Sequence, residues 1–343
     1  MRLLLVSTVY PPAIGGPALQ TRDIAATLTQ HGHDVTVLTT SPAVELGASP
    51  STGLGINEFE VIHLPQQRRG FDRVGRNLRL LREVDRVVLR VKPNLVHMQT
   101  CEGNVPFVVG AVARAQRIPR LIKFSSDFVW ARLNRDRYLG LPYQELHRSS
   151  LGARLLTQAQ RTTLAQYNLV WATSPFVEQS LQKVYGLRPE VLHALPNLIR
   201  LSNDALQPRT TRSECVVLLV ARLVPTKGIE VALEALAQLS ESSVRLRIVG
   251  EGAPAYEASL RKLSVGLGVQ HRVDFVGAVP PAKLTQEYDS ADLLLLPSWY
   301  EAFGIVLVQA MARGLPCVAS NVGGIPSVVR DGETGLLFPP GDV

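Results

Sequence analysis

Short apolar runs alternate with longer stretches of helical spacing along the whole chain. In the first half, the predicted strands are Arg2–Ser7, His33–Thr39, Leu95–Met98, Arg120–Phe124, Leu169–Ala172 and Val191–Leu195, and the predicted helices are Thr21–Gln30 and Phe107–Gln116. In the second half, the strands are Cys215–Ala221, Arg245–Val249, Val273–Val276, Leu293–Leu296 and Pro316–Ala319, with helices at Glu230–Leu239, Ala255–Val265, Pro281–Ser290 and Gly304–Arg313. This alternation is typical of an α/β protein whose parallel sheets carry helices on both faces.

A polar, irregular segment separates the two halves of this pattern. Residues 196–213 read as a linker, so residues 1–195 and 214–343 are predicted to form two Rossmann-like, doubly wound domains. Ligands of such sheets bind beyond the carboxyl ends of the strands. We therefore expect two domains that face each other across a ligand-binding cleft.

Composition places the chain among globular proteins, and its charge is unevenly distributed. Apolar residues make up 46 % and charged residues 19 % of the sequence. No apolar run reaches the roughly 18 residues of a membrane span, and three distant cysteines suggest buried thiols, so we expect a cytoplasmic protein. Residues 1–150 carry 19 Lys and Arg against 12 Asp and Glu, whereas residues 151–343 carry 17 of each kind. This asymmetry indicates an anionic partner for the first half.

The segment Arg68–Lys92 holds nine basic and three acidic residues. Its apolar residues recur at helical spacing and are expected to face inward; they are Val74, Leu78, Leu81, Val84 and Val88. One interpretation is docking on an anionic membrane, at the inner face of the cell membrane, where a lipid-linked acceptor would lie. The other is a solvated helix face. Since no aromatic residues interleave with the arginines, we do not expect a nucleic-acid partner.

Three stretches have the chemistry of phosphate or sugar binding. Gly15-Gly16 precedes a predicted helix, where exposed backbone N–H groups suit an anion; the alternative is a tight strand-to-helix turn. Arg222 and Lys227 follow a buried strand and would reach a phosphate, unless they are ordinary surface cations. Glu301 precedes a helix whose first amides belong to Phe303, Gly304 and Ile305, and alone it could simply be a helix N-terminal acid.

Taken together, these stretches and others resemble a retaining family 4 glycosyltransferase. The matching segments are the Gly15-Gly16 loop, Gly32-His33, Arg222 with Lys227-Gly228, Val249-Gly250-Glu251-Gly252, Glu301-Ala302-Phe303-Gly304, Ser320 to Pro326 and Asp331 to Gly335. The resemblance implies the GT-B fold and transfer of a sugar, with retention and without a metal ion, from a UDP- or GDP-linked donor. The acceptor hydroxyl would belong to a glycan, a lipid or a small molecule. No further cofactor is implied.

The resemblance also implies roles for individual residues. Arg222 and Lys227 would grip the donor diphosphate, Glu301 would contact sugar hydroxyls, and the amides of Phe303, Gly304 and Ile305 would bind the sugar and phosphate. The Gly15-Gly16 loop and Gly250 would lie on the donor side, with Val276 at the nucleobase pocket. Asp127 would lie beside the sugar on the acceptor side, although it could instead cap a helix or turn.

Two departures leave alternatives open. Gln309 stands where the family has a second glutamate, which implies weaker or altered nucleotide binding. The chain stops after Gly341-Asp342, where family members continue, which implies that the C-terminal end of the family is missing. An inactive nucleotide-binding remnant is therefore an alternative, as is an epimerase or phosphorylase. A third alternative is an NAD-dependent oxidoreductase, based on Gly250-Glu251-Gly252 and Asp274. The histidines lack metal-site spacing, so no metal is expected.

Overall fold

The structure is a computed structural model that describes residues 1–11, 16–41, 59–64, 73–134, 140–141, 143–199, 214–240 and 243–343. The chain divides into two compact units. The first contains Met1–Trp130 and Leu141–Leu198, and the second contains Ala131–Gly140 and Ile199–Val343. None of the described helices is long and apolar enough to cross a membrane.

The first unit is a parallel sheet with helices. Its described strands are β1 (Arg2–Ser7), β2 (Asp34–Thr39), β3 (Glu60–His63), β4 (Leu95–Met98), β5 (Arg120–Phe124), β6 (Leu169–Ala172) and β7 (Leu192–Ala194). Its described helices are α1 (Gly16–Gln30), α2 (Arg73–Val91), α3 (Val105–Ala115), the first half of α4 (Phe128–Leu133), α5 (Tyr143–Leu146), α6 (Leu151–Leu164) and α7 (Pro175–Tyr185). The strands lie in the order β3-β2-β1-β4-β5-β6-β7, and all pairs are parallel.

The second unit repeats the architecture. Its strands are β8 (Cys215–Val220), β9 (Val244–Val249), β10 (Val273–Gly277), β11 (Leu293–Leu296), β12 (Cys317–Ser320) and β13 (Leu336–Phe338). Its helices are α8 (Ile229–Gln238), α9 (Pro254–Gly266), α10 (Pro281–Asp289) and α11 (Ile305–Ala312). The parallel strands lie in the order β10-β9-β8-β11-β12-β13. Two doubly wound sheets, as predicted, are thus present.

Burial on both faces explains why the strands are continuous apolar runs. In β8, Leu218 and Leu219 are both fully buried, yet they belong to different core clusters. Successive side chains of a strand point to opposite faces, so each leucine packs against the helices on its own side. The cluster of Leu219 includes residues of α8 and α9, and that of Leu218 includes residues of α11.

Local capping chemistry sets several helix ends. Ser150 and Ser174 have extended backbones, and their hydroxyls accept hydrogen bonds from the N–H groups of Ala153 and Val177 at the starts of α6 and α7. The helix α7 ends at Gly186, which has a φ of 64° and bonds back to the last turn. Glycine is favoured there because residues with a Cβ atom are sterically disfavoured in this left-handed conformation.

The helices α4, α5, α6 and α7 were not predicted, and the elements that were predicted differ from the observed ones mostly at their ends. The first helix begins at Gly16 instead of Thr21, because Pro17 in the first turn needs no N–H donor and is compatible with a helix start. Gly16 is therefore the first helical residue, and Gly15 lies outside the described residues. The short strands β3 and β13 were not predicted, since they contain only four and three residues and are half-exposed.

The helix α2 corrects the predicted orientation of the arginine-rich segment. Val84 and Val88 are buried as expected, but Leu78 and Leu81 are 51 % and 43 % exposed. Leu80 is buried in their place because the helical repeat of 3.6 residues carries the inward stripe through Leu80, Val84 and Val88. The expected positions of Arg68 and Arg69 lie outside the described residues.

Replacing Gly250 by alanine should destabilise the protein by at least about 2 kcal/mol. Gly250 has a φ of 140°, and an added Cβ would lie 1.8 Å from the carbonyl oxygen of Ala221, a backbone atom that cannot rotate away. Gly266→Ala is the matched control, since a Cβ at the end of α9 would meet nothing within 4 Å. Urea unfolding measures both variants. Equal effects would show that the contact at Gly250 relaxes freely.

Candidate functional site

The order of strands in the second sheet reverses between β8 and β11. The chain runs outward from β8 to β9 and β10 on one side, and from β11 to β12 and β13 on the other. Loops that leave the carboxyl ends of such neighbouring strands diverge and open a crevice, where ligands of doubly wound sheets bind. The loop after β8 carries Arg222 and Lys227, and the loop after β11 carries Glu301. The fold therefore brings the two predicted stretches to one crevice, the β8–β11 crevice.

The two loops that border the β8–β11 crevice touch through their backbones. The N–H of Trp299 donates a 2.9 Å hydrogen bond to the carbonyl oxygen of Thr226. Next to it, Gly228 has a φ of 63°, and a Cβ there would lie 2.1 Å from the carbonyl oxygen of Pro297. Only glycine satisfies both the backbone conformation and this approach. The loops are thus fixed to each other immediately beside Lys227.

Lys227 and Glu301 form an ion pair in this crevice. The Nζ atom of Lys227 lies 2.5 Å from Oε1 of Glu301, and the two side chains are 18 % and 15 % exposed. The hydroxyl of Ser298 donates a 3.1 Å hydrogen bond to the same Oε1. No described residue bonds to the other carboxylate oxygen, Oε2. One oxygen is therefore used for positioning, and the other can accept a hydrogen bond from a ligand.

The loop after β12 fixes the backbone of Glu301. The N–H of Gly324 donates a 2.8 Å hydrogen bond to the carbonyl oxygen of Glu301. Gly323 has a φ of 55°, and a Cβ there would lie 2.1 Å from that same oxygen. Glu301 is consequently held by three loops, through its side chain on one side and its carbonyl group on the other.

The helix α11 begins directly after Glu301. Its N-cap, Gly304, has a φ of 89°, and within the fully described stretch 243–343 no side chain caps this end. The first amides of a helix have no intrahelical partner and carry partial positive charge. Ala302 and Phe303 are buried, and Ile305 is the first helical residue, so the predicted segment does form a loop-to-helix turn.

Arg222 lies in the loop after β8, but it does not join the ion pair. Its side chain is exposed and forms no ion pair with any described residue. The next residue, Leu223, is buried, and its N–H donates a 2.9 Å hydrogen bond to the carbonyl oxygen of Glu251. Since Gly250 also touches Ala221, the loop after β9 supports the backbone on either side of Arg222. Among the described residues nothing pairs with the guanidinium, which is exposed and can meet an anion.

Two other predicted donor-side residues have structural partners. The hydroxyl of Tyr288 donates a 3.0 Å hydrogen bond to Oε1 of Gln309, and Tyr288 is buried. The amide nitrogen of Gln309 has no partner among the described residues. Val276 is half-buried in β10 and packs against the core cluster of Leu218 and Leu294.

Asp127 is fully buried in the first unit, where it caps a helix. Its Oδ1 accepts a 2.9 Å hydrogen bond from the N–H of Trp130 in the first turn of α4. Its carboxylate also accepts hydrogen bonds from the hydroxyls of Tyr143 and Tyr185 and lies 3.0 Å from Nε2 of His147. The geometry supports the capping alternative for Asp127 and gives no support for direct contact with a ligand.

Asp127 and His147 are coupled electrostatically. Burial alone would raise the pKa of Asp127, but the hydrogen bond and charge of His147 and the hydrogen bond of Tyr143 lower it below its ordinary value. Burial alone would lower the pKa of His147, but the hydrogen bond and charge of Asp127 raise it. These directions favour an ionised carboxylate paired with a protonated imidazole.

The structure argues against a dinucleotide site at Gly250-Glu251-Gly252. Asp274 is the second residue of β10 and lies 3.2 Å from Arg245 near the start of β9. It is therefore at the amino edge of the sheet, whereas a ribose ligand must follow its strand at the carboxyl edge. The glycines are instead explained by their close backbone approaches to Ala221 and Leu223.

The roles of Ser298 and Lys123 were not predicted from the sequence. The role of Ser298 follows only from the loop geometry, although its spacing of three residues from Glu301 could have suggested a contact. Lys123, in β5, is 1 % exposed; its Nζ lies 2.5 Å from Oε1 of Gln20 and 4.6 Å from the ring centre of Trp171. Burial lowers the pKa of Lys123 to about 7. Nothing in its own segment signals a buried amine.

Two protein families match the chain, each over a different part of it. The family described as glycosyl transferase 4-like domain matches residues 15–198. The family described as glycosyl transferases group 1 matches residues 207–343.

Curated relatives resemble only part of the chain. D-inositol 3-phosphate glycosyltransferase of Corynebacterium efficiens is 43 % identical over 128 residues, which cover 36 % of this chain and 30 % of the relative. The enzyme of the same name from Acidothermus cellulolyticus is 36 % identical over 176 residues, covering 46 % and 39 %. An exopolysaccharide phosphotransferase of Streptomyces coelicolor is 37 % identical over 170 residues, covering 48 % and 17 %. The matches thus span well under half of each of these relatives.

Solved structures share the fold over nearly the whole chain. Sucrose-phosphate synthase of Thermosynechococcus elongatus has a TM-score of 0.75 at 25 % identity, over 100 % of this chain and 87 % of that one. Anabaena HepE, solved with UDP-glucose, has a TM-score of 0.74 at 21 % identity, covering 99 % and 86 %. WaaG, a glycosyltransferase of lipopolysaccharide biosynthesis, has a TM-score of 0.72 at 22 % identity, covering 98 % and 86 %. The fold is therefore that of GT-B glycosyltransferases.

A double-mutant cycle on Lys227→Met and Glu301→Gln should give a coupling energy of about 0.5–3 kcal/mol in unfolding experiments. The pair is mostly buried, so either single change leaves a poorly solvated partner. The exposed pair Arg330–Glu333, with side chains 70 % and 64 % exposed, is the matched control. Its coupling should be below about 0.5 kcal/mol. Similar values for both pairs would mean that water screens the Lys227–Glu301 pair fully.

Proposed function

The chain belongs to the glycosyl transferase 4-like family, and we propose that it transfers a sugar from a nucleoside diphosphate sugar to a hydroxyl acceptor. The observation that carries this proposal is the Lys227–Glu301 pair at the β8–β11 crevice. It places a cation for the diphosphate beside a carboxylate for the sugar, at the edge of the sheet where ligands of this fold class bind.

Lys227 and Arg222 bind the donor diphosphate in this proposal. Both follow β8, and Arg222 has no ion-pair partner among the described residues, so its guanidinium is available as a bidentate fork. The uncapped start of α11 adds partial positive charge. Cations and amides aimed at the leaving diphosphate stabilise the negative charge that develops in the transition state. We propose that they do so without a metal ion.

Glu301 orients the donor sugar in the same proposal. Its Oε1 is held by Lys227 and Ser298, which leaves Oε2 for a sugar hydroxyl. Fixed positioning matters because the cation-like sugar must face its acceptor at reactive distance. Retention of the anomeric configuration, by attack from the face that the diphosphate leaves, is proposed from the family resemblance.

Two further parts of the proposal concern the contact that Gln309 makes with the donor and the identity of the nucleotide base. The free amide nitrogen of Gln309 can donate one hydrogen bond to a donor hydroxyl, without the charge assistance of a glutamate. UDP is the first nucleotide to test because HepE, which shares the fold, was solved with UDP-glucose. GDP remains the second choice. The acceptor is proposed to be a glycan, a lipid-linked sugar or a small molecule.

UDP or GDP should raise the melting temperature of the chain. Ligand at 100 times its Kd adds about 2.7 kcal/mol to the free energy of unfolding. The pair Arg222→Ala and Lys227→Ala should abolish the shift, whereas Lys262→Ala with Arg330→Ala, two exposed cations of the second unit, should retain it. A panel of UDP, GDP, ADP and their sugars is the measurement. If no nucleotide stabilises the protein, the donor site is not functional and the inactive-remnant alternative holds.

We further propose that the outer face of α2 docks on an anionic membrane. This face, the α2 face, combines three exposed leucines with four exposed arginines; they are Leu78, Leu81, Leu89, Arg79, Arg82, Arg86 and Arg90. Glu83 and Glu60 pair with Arg86 and Arg90, while Arg79 and Arg82 have no acidic partner in the described chain. Apolar side chains among cations suit the boundary between headgroups and acyl chains.

Vesicles containing phosphatidylserine should carry the protein upward in a flotation assay at low salt. Each basic residue near such a surface contributes about 1 kcal/mol, so Arg79→Gln with Arg82→Gln should weaken binding about 30-fold. Lys262→Gln with Arg330→Gln makes the same charge change in the second unit and should leave binding unaltered. Absence of flotation at low salt would leave the α2 face as an ordinary solvated surface.

A further inference from the structure

A small basic pocket lies in the first unit between α6 and the end of α7. Its volume is about 150 Å³, and its walls include Arg148, Arg154, Arg161 and Lys183. The first precedes α6, the next two lie on α6 and the last is near the end of α7. We call these four residues the basic pocket. It belongs to neither the β8–β11 crevice nor the α2 face.

The basic pocket holds positive charge without compensation. None of the described residues that line it is an acid. None of its four cations forms an ion pair in the described part of the chain. Like charges gathered around one concavity destabilise the folded state, and an anion bound among them removes that cost.

The four cations occupy two different helix ends, and Arg154 also donates a long hydrogen bond of 3.4 Å to the carbonyl oxygen of Arg148. Lys183 is in the last turn of α7, and Arg161 lies against Gly186, which ends that helix, so both benefit from its negative end. Arg148 and Arg154 have the opposite setting. They flank the N-terminus of α6, whose first turn contains no acid. Cations there are disfavoured by the positive end of the helix, whereas an external anion is favoured.

His147, a buried residue of the pocket wall, forms a charge pair with Asp127. His147 is 2 % exposed; its Nδ1 lies 2.8 Å from the carbonyl oxygen of Tyr143, and its Nε2 lies 3.0 Å from Oδ2 of Asp127. Both neighbours are acceptors, so both ring nitrogens donate and the ring is held rigidly. Because Asp127 is satisfied within this buried network, its charge does not neutralise the exposed cations.

We propose that the basic pocket binds the phosphate or diphosphate group of a second ligand, distinct from the sugar donor. Three guanidinium groups and an ammonium match the oxygens of phosphate. The pocket is smaller than the roughly 300–1,000 Å³ that takes a drug-sized molecule. It therefore holds the phosphate portion, while the rest of the ligand extends outside.

The phosphate can arrive on a soluble molecule or as a lipid headgroup. Leu151 and Leu155 lie on α6 beside the basic pocket and are 73 % and 62 % exposed, so a lipid would find apolar surface next to the phosphate site. A soluble phosphate ester needs only the cations. The two sources share one chemistry at the pocket and are separated by experiment.

Calorimetric titration with inorganic pyrophosphate at low salt tests the basic pocket. The unmodified protein and the α2-face variant Arg79→Gln with Arg82→Gln should bind it saturably. The pocket variant Arg154→Gln with Arg161→Gln should bind at least about tenfold more weakly or lose one class of sites. All four arginines are exposed, so both variants should keep the melting temperature of the parent. All three proteins keep the β8–β11 crevice unchanged, so any pyrophosphate binding there contributes equally to the three titrations.

Flotation identifies the source of the phosphate. The vesicles contain phosphatidylcholine and phosphatidic acid. All proteins in this assay carry Arg79→Gln and Arg82→Gln, so that the α2 face does not contribute to flotation. Flotation that pyrophosphate competes away, and that Arg154→Gln with Arg161→Gln removes, supports a lipid headgroup. Pyrophosphate binding without flotation supports a soluble ligand. Identical titrations for the pocket variant and the parent, or no saturable binding by either, would overturn the proposal whatever the fate of the donor site.

Discussion

Contacts between backbones at the carboxyl edge of the second sheet determine the geometry of the candidate site. Gly228 touches Pro297, Gly250 touches Ala221, and Gly323 touches Glu301, each at a distance that excludes a side chain. These contacts join the loops after four strands into one assembly. The backbones that carry Lys227 and Glu301 are thereby fixed relative to each other, and the side-chain contacts of Glu301 with Lys227 and Ser298 add to this positioning. Such preorganisation allows charges to stabilise a transition state without rearrangement.

The second unit was the more predictable part of the molecule because its signals are local. A buried apolar strand followed by a charged residue marks a carboxyl edge, and this rule located Arg222, Lys227 and Glu301 correctly in loops. The contact between Gly324 and Glu301 was not predictable, since the two residues become neighbours only when the loops after β11 and β12 pack together. Strands can be predicted from local runs of apolar residues, whereas contacts between loops depend on tertiary packing.

The first unit was less predictable because the contacts of its buried polar residues come from distant segments of the sequence. Lys123 is buried although lysine is normally exposed, because Gln20, 103 residues away in sequence, accepts its hydrogen bond. Asp127 is buried because two tyrosines and a histidine from later segments surround it. Burying a polar group is tolerable only when partners satisfy it, and distant partners leave no trace in the local sequence. Capping was the one role of Asp127 that a local pattern could suggest.

In the structure, part of the positive charge excess of the first half lies on two separate surfaces, the α2 face and the basic pocket. In the second unit, Arg245, Arg247 and Arg313 each lie beside a carboxylate, so part of its positive charge is neutralised internally. Arg79 and Arg82 on α2, and the four cations of the basic pocket, have no such partner in the described chain. Unpaired charge of one sign opposes folding, so its concentration in these places is the physical argument for the two anionic ligands that we propose.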